Sequence, residues 1–241
     1  MSRVDDAVLR PIRGGNAFEE TVERILQVIK LGVVQTGERL PPERELSVRL
    51  NVSRVTLREA IRALQEAGYV ESRRGRYGGT FVRRAEVPGP REGPRKGQRR
   101  ARPAREAMED VLILREVLEV GAAEMAARRE LTDAERAHLA DRLAETSAAL
   151  LRDYRRLDSR LHLAIAEVSG SASLTSCLAD VRMRVNELLD AIPLLSPNIE
   201  HSNRQHEAVV TAILASDPAA ARQAMEEHVA GSAALLRGFL G

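Results

Sequence analysis

Apolar residues recur at helical spacing along most of this chain and at strand spacing in only one short stretch. Phe18, Val22, Ile25, Leu26 and Ile29 fall on one face of a helix. Asn16 and Glu19 stand at capping-box spacing before it, and Gly32 is its expected stop. Residues 37–40 read as a turn into a short strand. Pro42 opens a second helix, 42–50, where its missing N–H costs nothing. Ser53 caps a third helix, 54–67, that ends at Gly68. On it Val55, Ala60, Ile61 and Leu64 are expected inward, with Ser53, Arg54, Thr56, Leu57 and Arg58 outward. Residues 69–72 and 80–82 then read as two strands around a basic, glycine-rich tip, 73–79.

From about residue 106 the pattern stays helical to the end. The segments lie near 105–129, 132–148, 150–168, 173–191, 199–215 and 217–239. Thr132 and Glu135 form another capping-box pair, Gly170 closes the third segment, Pro193 breaks the fourth and Pro218 opens the last. Between the halves, residues 84–105 hold four prolines and three glycines among arginines, with almost no large apolar side chains. Nothing there can build a packed core, so the stretch reads as a flexible tether. The expected organisation is a winged helix-turn-helix domain at 1–83, a basic linker at 84–105 and an all-helical domain at 106–241. The fold class is mainly α, the second half being an antiparallel helical bundle of about six helices.

Composition narrows the picture. A chain of 241 residues suits two domains, and with 2% aromatic residues and no Trp its cores must be built from Leu, Val, Ile and Ala. No apolar run approaches the ~20 residues of a membrane span, and residues 1–13 lack a signal peptide's apolar stretch. The one cysteine, Cys177, excludes an internal disulfide, and its neighbours Leu174, Leu178 and Val181 suggest a buried thiol. A cytoplasmic protein is expected.

The net charge of +2 hides an asymmetry. Residues 1–82 carry 14 basic and 11 acidic side chains, residues 83–105 carry 9 and 2, and residues 106–241 carry 14 and 22. A polyanionic partner is therefore expected at the front and the linker only. Three helices followed by a hairpin is an arrangement that presents its third helix to a DNA major groove. Arg54 and Arg58, at i and i+4, project side by side and can grip phosphate or read guanine. Ser53, at a helix N-terminus, can hold a phosphate, and Arg44 on the bracing helix can reach the backbone. Arg74, Gly75 and Arg76 at the wing tip suit a minor groove. The linker is either an additional basic arm on DNA or a solvated tether.

In the helical half, Asp158 and His162 share one helix face, while His206 and His228 lie on the last two helices. Each histidine sits on an apolar stripe, and burying three imidazoles among Leu and Ala is unfavourable unless each is hydrogen-bonded or bound to metal. One aspartate and three histidines form a mixed N/O set for a divalent ion (Zn²⁺, Ni²⁺ or Mn²⁺) with open coordination positions. The plainer alternative is that the histidines are ordinary core residues and Asp158 pairs with Arg155 or Arg160. His138 and His201 do not fit the stripes.

Two stretches resemble known families. Residues 37–46 (GERLPPEREL) and 52–60 (VSRVTLREA), with Gly68 and the GGTFV ending at Val82, resemble the signature of GntR-type regulators. That resemblance implies DNA contacts by Arg44, Arg54, Thr56, Arg58 and Gly75. Residues 157–166 (LDSRLHLAIA) and the segment from His206 through Asp217 to His228 resemble the FCD-type C-terminal domain of the FadR subfamily, as does the Arg115/Glu119 pair. The resemblance implies that Asp158, His162, His206 and His228 bind a divalent metal, which holds a small organic acid whose carboxylate faces Arg115. It departs from the usual pattern at Leu161, where Phe is common, and at Ser171, where Asn is common. The expectation is a bacterial, ligand-responsive regulator binding a pseudo-palindromic operator as a homodimer, with no membrane contact and no enzymatic turnover. A metalloenzyme using the same tetrad and a non-specific architectural DNA binder are the competing classes.

Overall fold

The computed structural model describes residues 11–12, 15–30, 33–75, 78–83 and 105–241. The expected helix stop at Gly32, the wing-tip Arg76 and the linker up to residue 104 lie outside the described residues. In chain order the elements are α1 (Ala17–Lys30), α2 (Glu43–Leu50), α3 (Arg54–Glu66), β1 (Val70–Arg73) and β2 (Gly79–Val82). They continue as α4 (Arg105–Ala127), α5 (Asp133–Ser147), α6 (Tyr154–Val168), α7 (Ala172–Leu189), α8 (Ser196–Leu214) and α9 (Pro218–Leu240). This is the expected class: an N-terminal helix-turn-helix with a two-stranded wing, and a helical C-terminal half.

Local chemistry sets the boundaries. Pro42 precedes α2, and Asn51 ends it in the left-handed region at φ 53°. The Ser53 hydroxyl accepts from Thr56 N at 3.0 Å and so satisfies one of the four orphan N–H groups of α3. Gly68, at φ +82°, turns the chain out of α3 towards β1. β1 and β2 pair antiparallel with Val70 opposite Val82. The stretch expected to enter a strand adds to this hairpin, since Leu40 N donates to Thr80 O at 2.8 Å and Arg39 bridges Phe81. At α5 the capping box is complete, with Thr132 and Glu135 each bonding the other's backbone N–H.

Two side chains on α3 exchange their expected places. Leu57 is buried, while Val55 is 66% exposed. The inward stripe is Leu57, Ala60, Ile61 and Leu64, at i, i+3, i+4 and i+7, and Val55 lies about 200° around the helix from Leu57. Cys177 is also corrected: it is exposed. The inward face of α7 runs through Leu178, Val181, Val185 and Leu188, and Cys177 stands one residue off that stripe.

The chain divides into two compact units. One contains the helix-turn-helix and wing together with Ala191–Asn198 and Gly231–Gly241; the other contains the residues to Asp190 that follow the linker, with Ile199–Ala230. Within the first unit the end of α9 packs on α1. Phe239 is buried with its ring edge-on to Tyr69, centroids 5.6 Å apart, and Lys30 Nζ donates to Gly241 O at 2.8 Å. Close approach depends on a missing side chain, because a Cβ at Gly238 would lie 2.9 Å from Glu23 Cα. Within the second unit α4 packs on α6 and α7, and α5 and α7 pack on α6.

Gly238→Val is expected to destabilise the first unit by about 1–3 kcal/mol through overpacking, read as a lower Tm. An unchanged Tm would show that the α1–α9 contact is not tightly packed.

Candidate nucleic-acid interface and metal centre

The front-half residues fall on exposed surface. Ser53, Arg54 and Arg58 are exposed at the start of α3, Thr56 is half-buried, and Arg44 is exposed on α2. Ser53 Oγ also lies 2.8 Å from Thr56 Oγ1, so the cap fixes both hydroxyls at the helix N-terminus. Arg58 Nε donates to Glu43 Oε2 at 2.8 Å, which ties the outer edges of α3 and α2 together. Arg74 and Gly75 are exposed beyond β1, and Gly75 adopts φ +104°. Its turn is closed by Gly78 N donating to Gly75 O at 2.8 Å. Val55 joins this exposed set, a position that was expected in the core.

The four expected metal-ligating residues converge. Asp158 and His162 come from α6, His206 from α8 and His228 from α9; all are buried, and one donor atom from each lies within 4.8 Å of the others. His228 Nε2 is 3.2 Å from both His206 Nε2 and His162 Nε2. Asp158 Oδ1 is 3.3 Å from His206 Nε2 and 3.8 Å from His162 Nε2. His138 and His201 are not in this group.

These separations fit a metal ion. Two imidazole nitrogens each about 2.05 Å from zinc and about 109° apart would stand about 3.3 Å from one another. The chemistry of the donors points the same way. His162 Nδ1 faces Glu119 Oε2 at 3.1 Å, in a contact bent from hydrogen-bond linearity, and His228 Nδ1 faces Gln205 Oε1 at 3.4 Å. An acceptor beside Nδ1 favours the tautomer that carries its proton there. In that tautomer the Nε2 lone pairs of His162 and His228 face one another beside Asp158 Oδ1, an arrangement that a cation would relieve.

Around the donors lies a buried charge network. Arg182, from α7, donates through Nη2 to Asp158 Oδ2 and to Ser159 Oγ at 3.1 Å, and through Nη1 to Glu119 Oε1 at 3.2 Å. Arg115 Nε donates to Glu119 Oε2 at 3.1 Å. Asp158 thus pairs with Arg182 rather than with its sequence neighbours Arg155 or Arg160. Burial by itself would raise the Asp158 and Glu119 carboxyls. At Asp158, Arg182, His162 and His206 outweigh it; at Glu119, Arg115, His162 and Arg182 do, and both groups are held well below the ordinary carboxylate range. Burial also lowers His162, with Glu119 opposing, and lowers His228 further, with His206, His162 and Arg115 acting in the same direction.

Sequence reasoning did not reach Arg182. It lies on a helix that supplies no donor, and only the packing of α7 on α4 and α6 brings it in. Its signal was available: an arginine on the stripe Leu178, Val181, Arg182, Val185 is a buried charge needing a partner.

Both halves of the chain match known families. Residues 18–82 match the gntR family of bacterial regulatory proteins, and residues 110–231 match the FCD domain. The chain belongs to the GntR family. It is 31% identical over 224 residues to the HTH-type transcriptional regulator RmpR of Mycobacterium gastri, spanning 86% of this chain and 76% of that protein. It is 32% identical over 226 residues to a protein of Escherichia coli (strain K12) named as an L-lactate dehydrogenase operon regulatory protein, spanning 88% and 83%. The solved Streptococcus agalactiae GntR aligns over 90% of this chain and 98% of its own, at 27% identity and a TM-score of 0.46. This GntR protein is a DNA-binding transcription regulator with an FCD effector-binding domain, and its family and named relatives are regulators rather than enzymes. Among the described residues no helix is long and apolar enough to cross a membrane.

The depressed imidazoles set a pH dependence. Below an unfolded-state pKa near 6.5 the unfolded chain binds more protons than the folded one. Stability held above that value is therefore lost as pH falls. The metal-free protein is expected to lose stability as pH falls below about 6.5, by up to about 1.4 kcal/mol per pH unit for each histidine that stays neutral when folded. Tm measured across that window with chelator present checks this, and a flat profile contradicts it.

Proposed function

We propose that this GntR protein binds a pseudo-palindromic operator as a homodimer, and that its operator affinity responds to a small carboxylate held at a metal centre. Asp158, His162, His206 and His228 would hold a divalent ion, zinc in the first instance, with nickel or manganese as alternatives. When bound, the ion supplies Lewis-acid positions for a carboxylate. The observation that carries the reading is the convergence of four buried residues, each with one donor atom within 4.8 Å of the others.

Charge balance supports an anionic effector. Two arginines, Arg115 and Arg182, offset two carboxylates, Glu119 and Asp158, beside three histidines. A divalent ion would leave this buried cluster with two positive charges in excess, and a carboxylate would offset one of them. Arg115 is the counter-charge proposed for that anion. The E. coli relative's name makes L-lactate the first acid to test.

On DNA, Arg44, Ser53, Arg54, Thr56, Arg58, Arg74, Gly75 and Arg76 are proposed as the contacts, Arg54 and Arg58 in the major groove and the wing tip in the minor groove. Dimerisation is supported by exposed apolar side chains on the second unit. Ile113 and Val117 stand one turn apart on α4, Met183 is exposed on α7, and Arg184 Nη2 bonds Asp110 Oδ2 at 3.1 Å across the two helices. A twofold pairing of this face would cover the patch on both copies and match the symmetry of the operator.

Fluorescence anisotropy with the DNA upstream of the protein's own gene tests the proposal. Tight, salt-dependent binding should weaken about 5–150-fold in Arg54→Ala, and L-lactate should shift it only when Zn²⁺ is present. Equal affinity for unrelated DNA, or a lactate response that survives chelation, would contradict it. Val117→Asp should shift the protein to monomer in sedimentation velocity, and an unchanged dimer would rule out the α4–α7 face.

A further inference from the structure

We infer that Glu119 and Arg182 are positioning residues that set two of the four donors before any ion binds, Glu119 through the tautomer of His162 and Arg182 through the free oxygen of Asp158. The inference rests on the metal reading above and extends it to two residues that supply no donor themselves.

Glu119 is fully buried on α4, and its oxygens divide their work. Oε1 accepts from Arg182 Nη1 at 3.2 Å, while Oε2 accepts from Arg115 Nε at 3.1 Å and faces His162 Nδ1 at 3.1 Å. A carboxylate fixed from two sides keeps the imidazole proton on Nδ1 and leaves the Nε2 lone pair facing His228 Nε2. Arg182 does the same for the aspartate. Its Nη2 occupies Asp158 Oδ2, so Oδ1 is the oxygen left facing His206 and His162. The guanidinium is planar and forked, which lets one side chain span both carboxylates, and a lysine ammonium has no such fork. Arg182 itself is kept in place by Ser159 Oγ, which also accepts from Asn186 Nδ2 at 2.9 Å.

A structural salt bridge would show none of this division. Its loss would lower stability while leaving the ring tautomer and the ion affinity alone. Two measurements on the full-length protein separate the roles. First, two-bond ¹H–¹⁵N correlation spectra of the metal-free protein at pH 7.5 report the His162 tautomer. Nδ1–H is expected, and Nε2–H would overturn the inference with no variant needed. Second, Zn²⁺ alone is titrated against a chromophoric chelator. Glu119→Gln, which keeps the shape and removes the charge, should weaken Zn²⁺ binding about 10–100-fold. Arg182→Lys, which keeps the charge and loses the span, should weaken it at least about tenfold. Variants with a lower metal-free Tm but wild-type Zn²⁺ affinity would overturn it. A wild-type protein that binds no Zn²⁺ would instead refute the metal reading, and the His162 tautomer would still decide this one.

Discussion

Arg182 reaches two carboxylates at once inside a helical core, and much of the second unit is arranged around that fact. Each ion in such an interior costs several kcal/mol to desolvate, and the cost is offset only when the hydrogen bonding is close to complete. Asp158 and Glu119 are never far from a guanidinium, and Arg115 completes the pairing. A leucine cluster would fill the same space without these costs. Four charges and three histidines in such a core are what the proposed ion site would account for.

The front unit solves a different problem. Its recognition helix must stand out from the core with its N-terminus open. Ser53 closes one orphan N–H from within the chain, while Leu57, Ala60, Ile61 and Leu64 anchor the opposite face. The outward positions are then free to carry Arg54, Thr56 and Arg58, with Val55 between them. The last turns of α9 belong to this unit as well, with Phe239 against Tyr69 and Gly238 against α1. His228 stands on that same helix eleven residues earlier.

Most helices were legible because their ends carry local chemistry: Pro42, Ser53, Thr132 with Glu135, Gly170 and Pro218 all act within a few residues. The tetrad was legible because each member lies on an apolar stripe where a polar side chain stands out. Val55 and Leu57 exchange faces because a helix start offers few neighbours to define a stripe, and only Leu57 lies in register with Ala60, Ile61 and Leu64. Cys177 has apolar neighbours at i+1 and i+4, but it stands at the edge of the buried stripe of Leu178, Val181, Val185 and Leu188, on the solvent side. Arg182 and the role of Glu119 depended on which helices touch, and spacing within a single helix carries no such information. The wing-tip Arg76 and the linker were read from composition alone.

The central claim is that Asp158, His162, His206 and His228 form one ion site. Anomalous diffraction from crystals of the full-length protein grown with Zn²⁺, recorded on both sides of the zinc edge, addresses it directly. The account predicts a single strong peak bounded by Asp158 Oδ1 and the three Nε2 atoms. Well-ordered side chains at these four positions with no anomalous peak among them would contradict it.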